Sequence, residues 1–289
     1  YLGGGAAPPI RVVGRASCPV VVTLHGVGPF ATLSLDYTGG SLSKYIRLLA
    51  RYIVCFAKWA LLINKIDHVI TVSKASAIEI SKRLAVPTNK LSFAYHGYER
   101  DIFFPDSSVR DIKHRSYFVT VCQYHPKKNI ERLLRAYLQV AERSGGPRLI
   151  VVAPGLPQRL RVRFCHDAIE IVSTKMSREE VGAIIREASA FLFPSLHESF
   201  GMPLLEAMAC GTPILTSDTD CHREVTGNLC VYVDAESVES IANGIRTIVR
   251  QDNPIYRALL VRHASSFSWE KSTQIHLRYF RKVLNEKHK

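Results

Sequence analysis

Short apolar runs alternate with longer amphipathic segments along most of the chain. Apolar runs bounded by turn residues predict strands, and apolar positions that recur every three or four residues predict helices. Strands are predicted at residues 19–24, 68–72, 90–95, 116–123, 149–152, 168–172, 190–194, 214–216 and 231–233, and helices around residues 48–64, 74–84, 130–138, 177–187, 203–210, 237–250 and 275–284. Because strand, helix and strand follow one another through short connections, we expect parallel pairing in Rossmann-like α/β units.

One polar stretch interrupts this pattern. Residues 106–115 are rich in Asp, Ser and Arg and predict a linker between two domains. We therefore predict a first domain at residues 1–105, a second domain at residues 106–268 and a terminal helix at residues 269–289. Residues 1–18 show no clear periodicity, so no strand is predicted before residue 19.

The segment from residue 197 to residue 213 predicts a tight loop and a short helix after the buried strand 190–194. Pro203 suits the first turn of that helix, and Gly211 suits a left-handed stop just past its end. The loop then lies at the carboxyl end of a parallel strand, where ligands bind in open α/β sheets. The backbone amides of Phe200, Gly201 and Met202 would lack intrahelical acceptors and carry the positive end of the helix dipole. They predict a phosphate or diphosphate site.

Two carboxylates flank this predicted anion site. Glu198 lies in the loop, and Glu206 lies about one turn into the helix. Because a carboxylate repels an anion, such groups would bind hydroxyls of the ligand. Alternatively, Glu206 is only a favourable acid near the helix start and Glu198 a solvated loop residue. The chemistry of the residues leaves both interpretations open.

Other candidate residues also allow two interpretations. His25 follows the strand 19–24 and could donate to a phosphate or a sugar hydroxyl, or cap a loop. Lys127 and Lys128 precede a helix for which Asn129 is the expected N-cap, and they either bind an anion or are solvated. His222 near Glu224 lies in a predicted loop, where a surface pair is favoured over a catalytic pair.

The two glutamates are separated by seven residues and lie within Glu-Ser-Phe-Gly and Glu-Ala-Met-Ala-Cys-Gly-Thr-Pro. This segment resembles the signature of retaining glycosyltransferase family 4, and the resemblance covers about residues 15–285. It implies a GT-B fold: two Rossmann-like α/β domains with parallel sheets. It also implies that Glu198 contacts the donor sugar at the reaction centre and that Glu206 holds the ribose diol. The amides from Phe200 to Met202, with Ser199, would bind the diphosphate.

The resemblance extends to residues outside this segment. Val-Val-Thr-Leu-His-Gly matches the family's first-domain strand, which gives His25 a catalytic position facing the donor sugar. Lys128 matches the family's diphosphate-binding lysine, and Lys127 stands where the family usually has Arg, so charge is kept without a bidentate contact. The loop before the helix at residue 177 lies near the nucleotide base in the family, which implicates Lys175 and Met176. The terminal helix would cross back to the first domain.

The resemblance implies an enzyme that moves a hexose of the mannose or glucose type from a UDP- or GDP-linked sugar to a glycan or lipid-linked acceptor. No metal or other cofactor is expected, and no Asp-x-Asp motif is present. Family members begin with further strand–helix units and a glycine-rich loop, so the first domain is expected to be truncated. The alternative is therefore a truncated homologue that binds a nucleotide sugar without transferring it. An epimerase of similar architecture and a basic adaptor for membrane or nucleic acid are weaker rivals.

Charge and cysteine content place further bounds on function. The net charge is +13, and residues 1–105 carry +7 of it (12 Lys and Arg against 5 Asp and Glu), which suits an anionic membrane surface or a polyanion. No nucleic-acid motif is present, so we expect no nucleic-acid partner. Seven dispersed cysteines indicate reduced thiols and a cytoplasmic protein, with a possible position at the cytoplasmic face of the membrane.

The most apolar segment, residues 48–66, is interrupted by Arg51, Lys58 and Lys65, which argues against a membrane span. For this segment a core-packing helix is favoured over a helix lying in a membrane interface.

Overall fold

The computed structural model describes residues 2–3, 13, 18–27, 41–105, 117–144, 147–251 and 253–287, and the predicted linker at residues 106–115 lies outside them. Contacts divide the chain into two compact units. The first unit contains Tyr1–Gly97 and Phe267–Lys289, and the second contains Tyr98–Ser266.

In the first unit, four described strands form a parallel sheet in the order β1-β2-β3-β4. Its elements are β1 (Leu2–Gly3), β2 (Val21–Leu24), α1 (Leu42–Leu62), β3 (His68–Thr71), α2 (Lys74–Leu84) and β4 (Leu91–Phe93), with 3₁₀ turns at Ile63–Lys65 and Thr88–Lys90. The absence of a strand before residue 19 was predicted wrongly, because Leu2 pairs with Thr23 and Gly3 with Leu24. A strand of two residues is too short to show periodicity in the sequence.

In the second unit, six parallel strands take the order β10-β9-β8-β5-β6-β7. Its strands are β5 (Tyr117–Val121), β6 (Arg148–Val152), β7 (Ile169–Val172), β8 (Ala190–Phe193), β9 (Ile214–Ser217) and β10 (Val231–Val233). Its helices are α3 (Ile130–Ser144), α4 (Gln158–Arg163), α5 (Arg178–Glu187), α6 (Met202–Ala209), α7 (Asp220–Thr226), α8 (Val238–Gln251) and α9 (Pro254–Ala264), with a 3₁₀ turn at Pro126–Lys128. This is the doubly wound Rossmann order, and it reverses between β5 and β8.

The final helix, α10 (Trp269–Lys287), belongs to the first unit. The Tyr279 ring on this helix stacks on the His68 ring of β3 at 4.4 Å between centroids. At its start, the backbone of Ser268 and Trp269 passes so close to Gly97 that an added Cβ would lie 2.2 Å from the Trp269 nitrogen. Only glycine fits at residue 97.

Residues 98–105 belong to the second unit, although the sequence placed them in the first. The Arg186 guanidinium donates to the carbonyl oxygens of Ile102 at 2.7 Å and Phe104 at 3.0 Å. Gly182 faces Ile102 so closely that an added Cβ would lie 2.7 Å from its carbonyl oxygen. These contacts with α5 attach the segment to the second unit, and the sequence pattern does not reveal them.

Several element boundaries depend on caps. The predicted capping box is confirmed: Ser177 Oγ accepts from the Glu180 amide, and the Glu180 carboxylate accepts from the Ser177 amide. Helix α1 begins before residue 48, after Ser41 as its N-cap. Three helices were not predicted: α4, which has no side-chain cap, and α7 and α9, which begin after the N-caps Thr219 and Asn253. Each of these capping side chains accepts a hydrogen bond from a backbone amide three residues later.

Helix α1 packs on the sheet chiefly through its last turns. Its Trp59 and Leu62 are buried in the core of the first unit with Val22, Val69 and Ile80. Most of the earlier apolar residues of α1 are exposed, so the favoured core-packing interpretation holds for only part of the helix. None of the helices in the described ranges has the length and apolar character needed to cross a bilayer.

Candidate functional site

The loops after β5 and β8 meet at the carboxyl edge of the second sheet, where the strand order reverses. Ligands bind at this topological switch point in doubly wound folds. The loop after β5 carries Lys127 and Lys128, and the loop after β8 carries Ser195 and Glu198. The Leu196 amide donates to the Lys127 carbonyl at 2.7 Å, which ties the two loops together.

Glu198 lies at the centre of a compact polar cluster. Its Oε1 accepts from Lys128 Nζ at 2.6 Å and from Ser195 Oγ at 2.6 Å. Lys127 Nζ lies farther away, 3.8 Å from Glu198 Oε2. The side chains of Glu198 and Lys128 are 9% and 14% exposed, against 28% for Lys127. The two adjacent lysines therefore differ: Lys128 is a buried partner of Glu198 and Lys127 is a peripheral one.

Glu198 is ionised at neutral pH in this cluster. Burial opposes its negative charge, but the charges of Lys128 and Lys127 and the hydrogen bonds from Lys128 and Ser195 outweigh that effect and lower its pKa. Lys128 Nζ also lies 5.0 Å from the centre of the Phe193 ring. An ammonium group has three N–H donors, so Lys128 can bind Glu198 and still donate to a ligand.

Asn129 has a different role from the predicted one. Its carbonyl accepts the first bond of α3 from the Leu133 amide, as at an N-cap. Its side-chain amide, however, donates to the carbonyls of Pro194 at 2.9 Å and Ala235 at 2.7 Å. The side chain thus fixes the start of α3 to the end of β8 and does not cap the helix.

The amino end of α6 has the predicted geometry. Gly201 is the residue before the helix, with φ of +89°, and the buried Phe200 precedes it. A Cβ on Gly201 would lie 3.0 Å from Leu204 Cδ1, so glycine suits both the backbone angle and the space. The amides of Gly201 and Met202 occupy the helix start, where no intrahelical carbonyl can accept from them. Ser199 is half-buried in the same loop.

Glu206 is buried on α6 and pairs with a residue that the sequence reasoning missed. Arg178 Nη2 donates to Glu206 Oε1 at 2.8 Å and also binds Glu99, and its guanidinium lies 4.8 Å from the Phe103 ring centre. Burial raises the pKa of Glu206, and Arg178 only partly opposes the increase. The sequence signal for Arg178 was its place just after the capping residue Ser177, directly after the loop expected near a nucleotide base.

His222 was predicted to lie in a surface loop, and this prediction is wrong. It lies on α7 and is fully buried. Thr216 Oγ1 donates to the Phe193 carbonyl, so it accepts from His222 Nδ1 at 2.9 Å. The Ser217 carbonyl is 3.2 Å from the same nitrogen, which places the ring proton on Nδ1.

The His222 ring is neutral and borders the candidate site. Burial lowers its pKa to about 4. Its Nε2 has no hydrogen-bond partner among the described residues, and its Cδ2 would be 3.9 Å from a Cβ on Gly201. The His222 ring therefore packs against the loop that precedes α6. It cannot form a surface pair with Glu224.

The remaining predicted residues lie elsewhere. Lys175 is exposed and Met176 is half-buried, in the loop that precedes α5. His25 follows β2 in the first unit, and its ring stacks on His96 with centroids 5.3 Å apart. The His96 ring also contacts Trp269 at 5.1 Å.

Burial and neighbouring histidines keep the two stacked rings of the first unit neutral. Burial and the nearby His276 lower the pKa of His25. Burial, with smaller effects of His25 and His276, lowers the pKa of His96 to about 4. Within the described ranges, no three His, Cys, Asp or Glu side chains converge in a way that could hold a metal ion.

Comparison with protein families gives a match over the second unit. The family model described as Glycosyl transferases group 1 matches residues 106–264, the region that carries both the Glu198–Lys128 cluster and the Glu206–Arg178 pair.

Two curated relatives are mannosyltransferases by name. The O-antigen chain mannosyltransferase RfbU of Salmonella typhimurium is 27% identical over 250 residues, which cover 82% of this chain and 62% of that protein. The MMP alpha-(1->4)-mannosyltransferase of Mycolicibacterium hassiacum is 28% identical over 72% of this chain and 52% of that protein. The chain thus spans about half to three-fifths of the length of these relatives.

Among solved structures, the sucrose-phosphate synthase of Thermosynechococcus elongatus matches with a TM-score of 0.71 and 20% identity, over 96% of this chain and 70% of that one. An alpha,alpha-trehalose-phosphate synthase of Burkholderia vietnamiensis matches with a TM-score of 0.71 and 12% identity, over 94% of this chain and 71% of that one. These likenesses establish the fold: an α/β GT-B type with parallel sheets in two Rossmann-like units.

Proposed function

The chain belongs to the glycosyl transferases group 1 family, and on that premise we propose that it transfers a hexose from a nucleotide-diphosphate sugar to a glycan or lipid-linked acceptor with retention of configuration. The observation that carries the proposal is the cluster of Lys128 and Glu198 beside the amino end of α6, at the switch point of the second sheet. Mannose is the first candidate for the sugar and GDP for the nucleotide, because the relatives include mannosyltransferases and a GDP-mannose-dependent enzyme by name.

In this proposal the diphosphate binds at the amino end of α6. The amides of Gly201 and Met202 donate to its oxygens, and the helix dipole favours its charge. Lys128 keeps two donors beyond its bond to Glu198 and directs them to the same oxygens. Lys127, which is more exposed, contributes charge from the rim.

The nucleoside portion binds on the other side of α6. Glu206 accepts hydrogen bonds from the ribose diol, and Arg178 holds its carboxylate in place. Because burial raises the pKa of Glu206, pairing with Arg178 is what keeps this carboxylate available as an acceptor. The base lies toward Lys175 and Met176.

The net reaction breaks the bond between the anomeric carbon and a phosphate oxygen, forms a bond from that carbon to an acceptor hydroxyl oxygen, and releases the nucleoside diphosphate together with the hydroxyl proton. Negative charge grows on the diphosphate, where Lys128 and the amides of α6 stabilise it. Positive charge grows on the sugar, where the ionised Glu198 stabilises it. The resemblance to the family suggests His25, which follows β2, as a further candidate for catalysis. Since protein groups supply these charges, the proposal requires no metal ion.

A thermal-unfolding panel tests donor binding. The chain is heated with GDP, UDP, ADP and their sugars, in the wild type, in Lys128→Ala and in the exposed control Lys82→Ala. A ligand at about one hundred times its dissociation constant stabilises the folded state by about 2.7 kcal/mol. We expect one nucleotide to raise the melting temperature in the wild type and the control but not in Lys128→Ala. The donor site would be refuted if no nucleotide changed the melting temperature.

A turnover assay separates transfer from binding alone. Release of nucleotide from the matching nucleotide sugar is measured with a lipid-linked glycan fraction as acceptor. Glu198→Gln is expected to lower the rate by about 100-fold or more while its thermal shift with the free nucleotide persists. Binding without any turnover by the wild type would contradict the transferase and support the binding homologue.

A further inference from the structure

Helix α1 exposes an apolar stripe. Leu42, Ile46 and Ile53 are 64%, 56% and 59% exposed. At about 100° per residue, these three positions fall within an arc of roughly 40°. Phe56 and Leu61 on either side of this arc are also exposed. Single exposed apolar residues are ordinary, but a stripe about three turns long on one helix marks an interaction surface.

A basic stripe lies about 140° around the helix from the apolar one, and the exposed apolar residues Leu61 and Val54 lie between the two. Arg47, Arg51 and Lys58 are exposed and also fall within an arc of roughly 40° on the helix. Lys44 adds a fourth positive charge, and the 21 residues of α1 include no Asp or Glu. The surface formed by the two stripes therefore combines apolar area with uncompensated positive charge.

The opposite side of α1 fixes this surface in place. Trp59 and Leu62 are buried, and Tyr52 and Cys55 pack against the same core. Ser41 caps the start of the helix by accepting from the Lys44 amide. Since the sheet-facing side is already occupied, the apolar and basic stripes face outward.

We propose that α1 docks the first unit onto an anionic lipid bilayer. The apolar stripe would enter the boundary between headgroups and acyl chains, while Arg47, Arg51 and Lys58 bind lipid phosphates. A helix with an apolar face, a strongly basic face and no acidic residue has the chemistry of one that lies in a membrane interface. The +7 charge of residues 1–105 adds long-range attraction to the same surface.

The combination of positive charge and apolar area on α1 favours an anionic bilayer over other partners. A soluble polyanion would neutralise the basic stripe but leave Ile46 and Ile53 in water. A neutral apolar partner would leave the basic stripe without counter-charges. An anionic bilayer satisfies both stripes at once, because acyl chains lie directly beneath its charged headgroups.

Vesicle co-sedimentation of the purified chain tests the proposal. The vesicles contain phosphatidylcholine alone or an equimolar mixture with phosphatidylglycerol. We expect binding to the mixture that weakens as salt rises, and little binding to phosphatidylcholine alone. The triple variant R47Q/R51Q/K58Q should bind on the order of 100-fold more weakly, since each basic residue near the surface contributes about fivefold. The variant I46S/I53S should also lose binding.

Matched variants control for general changes in charge and apolar surface. K82Q/R148Q/R250Q removes three exposed charges outside α1, and I255S removes an exposed apolar residue of α9; both should bind like the wild type. Circular dichroism confirms that each variant is folded. The proposal would be overturned if the wild type did not bind the phosphatidylglycerol vesicles. It would also be overturned if both α1 variants bound these vesicles as tightly as the wild type. A dimer that I46S/I53S dissociates, without vesicle binding, would overturn it in favour of a second copy of the chain.

Discussion

Replacement of Lys128 by Met should destabilise the second unit far more than the same change at the adjacent Lys127. Lys128 Nζ is 2.6 Å from Glu198 Oε1, and both side chains are nearly buried. At an effective dielectric constant of about 20, opposite charges at that distance attract by roughly 6 kcal/mol, and desolvation offsets part of this attraction. In Lys128→Met the Glu198 carboxylate remains buried with only Ser195 and the more distant Lys127 as partners.

Loss of one partner of a buried ion pair typically costs 3–5 kcal/mol. Because Lys127 and Ser195 remain, we expect about 3 kcal/mol for Lys128→Met. Lys127→Met is the matched control: its Nζ is 3.8 Å from Glu198 and the side chain is more exposed. This control should cost less than about 1 kcal/mol. Urea unfolding at pH 7, followed by circular dichroism, measures both values.

The pH dependence of the destabilisation provides a second check. In the wild type the pKa of Glu198 is lowered, so its contribution to stability is present above the unfolded value of about 4.5 and is lost as the pH falls toward the folded value. In Lys128→Met, burial dominates and should raise that pKa. The difference in unfolding free energy between the two proteins should therefore begin to shrink above pH 4.5, at the raised pKa of the variant, and continue to shrink toward the lowered pKa of the wild type. Equal costs for the two lysine variants, or a cost independent of pH, would refute the reasoning.

Three further predictions concern residues around the two sites. The pKa of His222 near 4 lies below the unfolded value near 6.5, so stability should fall by about 2 kcal/mol between pH 7 and pH 5, and His222→Asn should remove that change in urea titrations. His276→Ala should raise the pKa of His25, as measured by NMR titration of the ring protons; an unchanged value would contradict the assigned charge effect. Gly201→Ala should cost about 1–2 kcal/mol in urea unfolding, because φ is +89° and Leu204 lies 3.0 Å from the new methyl group.

The regular elements could be predicted because their signals are local. The strand Val231–Val233 and the helix Lys74–Leu84 have the predicted bounds. The capping box at Ser177 and the positive φ of Gly211 were also predicted from the residue types alone. Each signal depends on a few neighbouring residues, whose steric and hydrogen-bonding preferences remain the same in the folded protein.

The features that the sequence did not predict depend on contacts between distant residues or on weak local signals. The strand Leu2–Gly3 forms only because β2 offers it a partner. Residues 220–226 contain few apolar residues in a helical pattern, and their helix depends on the cap at Thr219 and on the burial of His222. In α1, the sequence indicated an amphipathic helix correctly but could not tell which of its apolar residues face the sheet.

The sequence by itself determined the α/β class, the order of most elements and the residue types available at the ends of β5 and β8. Propensity, caps and turn residues act over a few positions, so these features are encoded where they occur. Only the tertiary structure decided the strand order that brings Lys128 within 2.6 Å of Glu198, 70 residues later in the chain. It also decided that Lys128 and not Lys127 is the buried partner, that Arg178 holds Glu206 and that His222 is internal. These outcomes depend on which surfaces pack together, and burial sets the cost of leaving a charge or a ring nitrogen without a partner.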